Sequence, residues 1–155
     1  MKIEIAKPKE AEELVRILHD AYSENEKLGL PASASNVSVP EVVDWIQNMM
    51  VLSAKEVGTD KISGTVRLAY KEDWQCYVLG RLAVAASAKG QGVGTRLMEA
   101  AEKELLKMGE KKVLLTVAKR HPYLPEMYQR KGYRIVGERL LKHLPYDEYV
   151  MEKVL

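Results

Sequence analysis

A chain of 155 residues is long enough for one hydrophobic core and shorter than the length at which chains usually split into domains. Its 24 Lys and Arg nearly balance 22 Asp and Glu, so the net charge of +2 gives no bulk attraction to nucleic acid or to an anionic membrane. A single cysteine, Cys76, excludes an intramolecular disulfide, and no apolar run is long enough for a membrane span or a signal segment; together these predict a reducing, cytoplasmic setting.

MKIEIAK opens with a short alternating strand, and Pro8 suits the first turn of a helix whose Ala11, Leu14, Val15, Leu18 and Tyr22 keep helical spacing. From Ser23 to Val39 the pattern dissolves into polar and small residues, which reads as a connection longer than a compact domain ordinarily needs. Pro40 restarts a helix in which Val42, Ile46 and Met49 line one side, ending near Met50. Val51–Val57 and Ile62–Tyr70 read as strands joined by the Gly58-Thr59-Asp60 turn. A longer strand runs from Trp74 to Val84, with Gly80 as the expected bulge that bends it away from its neighbour.

Directly after that strand, Gly90, Gly92 and Gly94 alternate, and an amphipathic helix begins at Thr95. Its stripe is Leu97, Ala101, Leu105 and Met108, Glu99 and Lys103 form an i,i+4 pair, and Gly109 ends it. Strand, glycine turn and helix form the grammar of an anion-binding loop, in which main-chain N–H groups and the positive end of the helix dipole face a phosphate. A dinucleotide fingerprint requires Gly where Thr95 or Leu97 stands, and no Gly-Lys-Ser/Thr of a Walker loop occurs in the chain. Those two absences leave coenzyme A as the diphosphate carrier. Lys112–Val117 follows as an apolar strand parallel to the one before the helix. A short helix carries Met127 and Tyr128, and Tyr133–Leu140 and Glu148–Val154 form a last antiparallel pair.

The segment LAVAASAKGQGVGTRLMEAAE resembles the acetyl-CoA signature of the GNAT family of N-acetyltransferases, [Q/R]-x-x-G-x-[G/A]. Lys89, Gly92 and Gly94 stand on its fixed positions, and Lys89 keeps a cation without the planar fork of arginine. PEMYQRKGYRIVG resembles the family's later segment, with Tyr128, Gly132 and Tyr133 in the matching places. The resemblance runs loosely over the whole chain, residues 1–155, as one N-acetyltransferase domain. It implies an α/β (α+β) fold: a central mixed, mostly antiparallel sheet of about seven strands flanked by about four helices, with a parallel βαβ unit at the cofactor site.

The resemblance implies acetyl transfer from acetyl-CoA to a primary amine by direct attack in a ternary complex, without a metal. The diphosphate would lie on the backbone of Lys89, Gly90, Gln91, Gly92, Val93, Gly94 and Thr95, and the pantetheine arm along Leu82, Ala83 and Val84. Tyr128 takes the family position whose hydroxyl protonates the thiolate; the plain alternative is a core tyrosine. His121 stands where the family often has an Asn that holds the pantetheine. A base near neutrality and a surface histidine are the other readings. Glu24 and Glu26, placed in the long connection, are expected to meet a protonated amine, with that connection and Leu141–Asp147 bordering the acceptor entrance. Lys119, Arg120, Arg130 and Lys131 either attract the 3′-phosphate or are simply solvated, and Cys76 is a core residue. No acid appears on the Trp74–Val84 strand, which leaves a water-mediated base or an acid of the long connection such as Glu24 or Glu26. A small-molecule amine and a protein N-terminus or lysine remain open as acceptors, and so do a homodimer and a coenzyme A-binding module without turnover.

Overall fold

Strand β2 (Met50–Lys55) shows how the molecule is layered: Val51 turns into one hydrophobic cluster and the next residue, Leu52, into another, as successive strand residues must. A computed structural model describing residues 1–155 places seven strands in one sheet, ordered β1-β2-β3-β4-β5-β7-β6. These are β1 (Lys2–Ile5), β2, β3 (Ile62–Lys71), β4 (Cys76–Val84), β5 (Lys112–Ala118), β6 (Arg134–Arg139) and β7 (Glu148–Val154). All neighbours are antiparallel except β4 and β5. Helices α1 (Ala11–Lys27) and α2 (Val39–Asn48) cover one face through Leu14, Leu18 and Val42. Helix α3 (Val93–Lys107) covers the other through Leu97, Ala101 and Leu105, and α4 (Leu124–Arg130) brings Tyr128 to that side.

The predicted elements hold, and their edges move for local reasons. The first helix continues through Lys27, because Ser23-Glu24-Asn25-Glu26-Lys27 is polar yet helix-compatible. It ends on Gly29 (φ 73°), whose N–H reaches Glu26 O at 3.0 Å while Leu30 N–H reaches Asn25 O at 2.8 Å. Glu24 and Glu26 are therefore helical, and the connection shrinks to the residues after Lys27, with a 3₁₀ turn at Ser33–Asn36. Trp74 lies in a 3₁₀ turn before β4 rather than in the strand. Met108 is a half-exposed helix cap outside the buried stripe, and Lys107 pairs with Glu104 at 3.1 Å while Glu99 and Lys103 form no ion pair.

The bulge in β4 falls at Arg81 and not at Gly80. Thr65 opposes Ala83 and Arg67 opposes Gly80, so β4 carries one residue more than β3 between those pairs, and Arg81 takes φ 52°. On the far side, the β4–β5 register is confined to Val78 and Leu114. Beyond Val78 the two parallel strands part, and the β5-facing edge of β4 has no strand partner. Gly64 lets β3 pass beneath the start of α3: a Cβ there would stand 2.9 Å from Ala83 O, Leu97 Cδ1 and Val93 Cγ1.

Candidate active site

The gap between the parted strands is the floor of a cleft of about 740 Å³. Leu82 of β4, Leu115–Ala118 of β5, and His121, Leu124 and Tyr128 line its inner part. Leu30–Ser33 from the α1–α2 connection and Leu141, His143, Leu144 and Tyr146 from the β6–β7 connection form its rim. The two connections are tied together where the Tyr146 hydroxyl donates to Pro31 O at 2.9 Å.

At the other end of β4, the turn after Val84 exposes a row of main-chain donors. The N–H groups of Gly90, Gln91, Gly92, Val93, Gly94 and Thr95 have no hydrogen-bond partner in the chain, and the first helical closure is Arg96 N–H to Gly92 O at 3.1 Å. Gly90 and Gly92 both sit at φ 78°, which L side chains reach only with strain, and Gly92 is the N-cap of α3. A Cβ on Gly94 would stand 3.6 Å from Val84 Cγ2 and 3.9 Å from Leu82 Cδ2, so this donor row runs directly onto the cleft wall. Such a nest fits the diphosphate of coenzyme A, and the unpartnered edge of β4 fits an extended pantetheine arm. Lys131 Nζ, donating to Thr95 Oγ1 at 2.6 Å, adds a cation beside the helix start.

Tyr128 is nearly buried and packs edge-on against Tyr133 with ring centroids 6.1 Å apart. Tyr133 donates to Glu102 Oε2 at 2.9 Å, whereas the Tyr128 hydroxyl has no partner within the chain and looks into the cleft. Burial raises the Tyr128 phenol above its ordinary range, so it holds its proton at any physiological pH. His121 is buried, not a surface residue: its Nδ1 accepts the N–H groups of Leu124 (3.2 Å) and Tyr123 (3.3 Å), capping α4. A neutral imidazole that accepts at Nδ1 carries its proton on Nε2, and burial lowers its pKa although Glu24 opposes the shift. The ring has no free lone pair with which to act as a base.

Two expected acceptor-binding acids stand elsewhere. Glu24 pairs with Lys89 of the glycine turn at 3.6 Å, both more than half exposed, and Glu26 accepts from Ser35 Oγ at 2.9 Å; neither lines the cleft. The basic cluster divides: Lys119 pairs with Glu138 at 2.8 Å and Arg120 donates to Pro145 O at 2.9 Å. Cys76 is buried, as expected.

The sequence offered no sign of the cleft's own charges. Glu148, at the start of β7, is its one carboxylate; burial raises its pKa against the opposing pull of Arg139, 3.5 Å away. Arg67 and Arg81 enter from β3 and β4, with guanidinium carbons 4.5 Å and 5.8 Å from the centre of the Trp45 ring on α2. In the sequence they look like ordinary polar positions on strands, because only pairing and the bulge bring them together.

Residues 12–133 match the model of the acetyltransferase (GNAT) family. The chain belongs to that family. As a GNAT N-acetyltransferase it moves an acetyl group from acetyl-CoA to an acceptor. S-(2-succino)cysteine N-acetyltransferase of Bacillus subtilis is 29% identical over 140 residues, covering 87% of this chain and 85% of that protein. S-alkylcysteine N-acetyltransferase of the same organism is 23% identical over 141 residues, covering 87% and 79%. Among solved structures, the paia N-acetyltransferase of Thermoplasma acidophilum in complex with coenzyme A superposes with a TM-score of 0.79 over the full length of both chains at 18% identity. A GNAT acetyltransferase of Streptococcus pneumoniae gives 0.77 over 99% and 98% at 23% identity, so the fold is shared.

Proposed function

We propose that this acetyltransferase acts on a small-molecule primary amine, and that its acceptors are S-substituted cysteines, with both substrates bound together and the amine attacking the thioester directly. The observation that carries the reading is the cleft: it joins the unpaired donor row to a half-buried chamber that holds the Tyr128 phenol and a single carboxylate, Glu148, closed over by two short connections. The acceptor class rests on the two similar Bacillus subtilis enzymes, each of which is named for a cysteine thioether. A protein N-terminus or lysine has less support, because the tie between Tyr146 and Pro31 bridges the rim that a polypeptide would have to cross.

In this reading Glu148 takes the proton of the incoming ammonium, directly or through water, and its raised pKa brings it closer to that task than an exposed carboxylate. The nitrogen lone pair attacks the thioester carbon, and a main-chain N–H on the free edge of β4, among Leu82, Ala83 and Val84, receives the developing oxyanion. As the carbon–sulfur bond breaks, the Tyr128 hydroxyl gives its proton to the thiolate, and the surplus proton on the new amide nitrogen passes, directly or through water, to the phenolate and restores the phenol. His121, through Nε2–H, and Gly90–Thr95 hold the donor, and the free thiol of Cys76 suits a cytoplasmic setting. The test is free-thiol release from acetyl-CoA across a panel of S-substituted cysteines, polyamines, aminoglycosides and peptide N-termini. Turnover confined to the peptides would overturn the proposal; the highest kcat/KM on a cysteine thioether is expected.

A further inference from the structure

Arg67 and Arg81 are two cations facing the same aromatic ring in a half-enclosed space, and neither has a carboxylate in ion-pair contact, although the charge of Arg81 is felt by Glu148 across the cleft. No carboxylate lies within 4.0 Å of either guanidinium, and the charged groups that pair around the cleft do so with others, Glu148 with Arg139 among them. The Arg67 guanidinium makes no hydrogen bond within the chain, while that of Arg81 spends one N–H on Ser33 Oγ at 3.0 Å. The Nε atoms of both are buried without a partner. Burial, and then the neighbouring charge of Arg81, lowers the Arg67 pKa to about 10, which still leaves it cationic at neutral pH.

Holding two like charges together away from water is costly unless something offsets it. Stacking on Trp45 offsets part of that cost but uses the faces of the guanidinium groups and leaves their N–H edges open. The β4 bulge is what creates the pair. With strict alternation Arg81 would point to the face opposite its neighbour Gly80, which is the partner of Arg67; the extra residue at φ 52° turns it onto the Arg67 face, against the same ring. The rest of the outer cleft is cationic too, with Lys71 and Arg139 over Trp74 at 4.9 Å and 5.2 Å. Tyr22, facing both arginines, stays protonated because burial raises its pKa, so it supplies no charge.

We infer that Arg67 and Arg81 form a carboxylate fork that holds the α-carboxylate of an amino-acid acceptor. The inference rests on the small-molecule reading above and adds the group that is recognised. Two planar forks with open edges match a carboxylate better than any neutral group. The position suits an α-amino acid: Arg81 immediately precedes Leu82 on β4 and both line the same cleft, and the amine of an α-amino acid stands one carbon from the carboxylate that the fork would hold.

The experiment compares S-carboxymethylcysteine with its α-carboxamide and with S-carboxymethylcysteamine, which lacks the α-carboxylate, in the wild type, Arg67→Met and Arg81→Met. In the wild type the acid is expected to have a KM about tenfold or more below that of the amide. Each Met variant should lose that preference while its KM for acetyl-CoA stays put. Arg67→Met should also melt no lower than wild type, since it removes a half-buried cation whose Nε has no partner. Equal KM for acid and amide in the wild type, or a Met variant that weakens both alike, would overturn the fork. Binding of the acid to the coenzyme A complex, followed by calorimetry, keeps the two readings apart. Carboxylate-dependent binding without turnover would count against the proposed acceptor chemistry alone, and turnover on cysteamine thioethers as fast as on the amino acid would count against the fork alone.

Discussion

The two ends of the cleft are built from different materials. The end proposed for the acetyl donor is backbone: a glycine turn, the first turn of α3 and the unpaired edge of β4 present N–H groups whose positions follow from main-chain geometry. The end proposed for the acceptor is side chains brought from β3, β4, α2 and β7 and from two connections, so Arg67, Arg81, Trp45 and Glu148 meet only after the sheet has paired. A backbone site is written as spacing and can be read in sequence. A side-chain site of this kind is written in register, and register appears only in the fold.

The largest separation between the ends should come from Tyr128, which lies where they meet. In the proposed mechanism its hydroxyl is the thiolate's proton source, so Tyr128→Phe is expected to lower kcat by about a hundredfold, the low end for a general acid, while Kd for acetyl-CoA holds. A pre-steady-state assay that isolates the chemical step checks it, and an unchanged rate there would remove Tyr128 from the mechanism. Because burial holds the phenol protonated, the wild-type rate should show no alkaline fall near the ordinary tyrosine range.

A change confined to the donor end is smaller and of a different kind. At Gly92, φ 78° costs a non-glycine residue about 1–2 kcal/mol, and a β-branched one more, so Gly92→Val is expected to weaken acetyl-CoA by about tenfold or more. Open space surrounds the Cβ position, so the loss arises from backbone conformation and not from collision with the protein. Calorimetry against coenzyme A, with a melting curve to confirm folding, tests this; wild-type affinity in a folded variant would place the diphosphate elsewhere.

The same contrast explains which residues were legible. Gly109 was read as a helix stop and Gly29 was not, although both close their helices with the same pair of backward hydrogen bonds, Glu110 N–H to Leu105 O and Leu30 N–H to Asn25 O. The difference is that α3 keeps an apolar stripe to its last turns, whereas the last turns of α1 are exposed and polar, and periodicity says nothing about such turns. Glu24 and Glu26 were placed in a loop for that reason. Gly80 attracted the bulge because glycine tolerates it, yet the strained conformation went to Arg81, where a long side chain gains a new direction.

The smallest expected change in rate concerns the proton that leaves the amine, and it separates a side chain of the acceptor end from one of the donor end. Glu148 has its pKa raised by burial, so its carboxyl becomes protonated, and unable to accept, at a higher pH than an exposed glutamate; kcat/KM should therefore climb with pH through that value. In Glu148→Gln this limb should vanish. At neutral pH the loss should be about tenfold, because solvent can still deprotonate part of the amine, and it should shrink toward nothing above the pKa of the amine itself. His121 supplies the control. Its Nδ1 is taken up by the N–H groups of Tyr123 and Leu124, and the Oδ1 of asparagine can accept those same donors, so His121→Asn should keep the melting temperature, the rate and the shape of the profile. A limb that persists in Glu148→Gln and disappears in His121→Asn would assign the base to the imidazole, and would require the α4 cap to release Nδ1 during turnover.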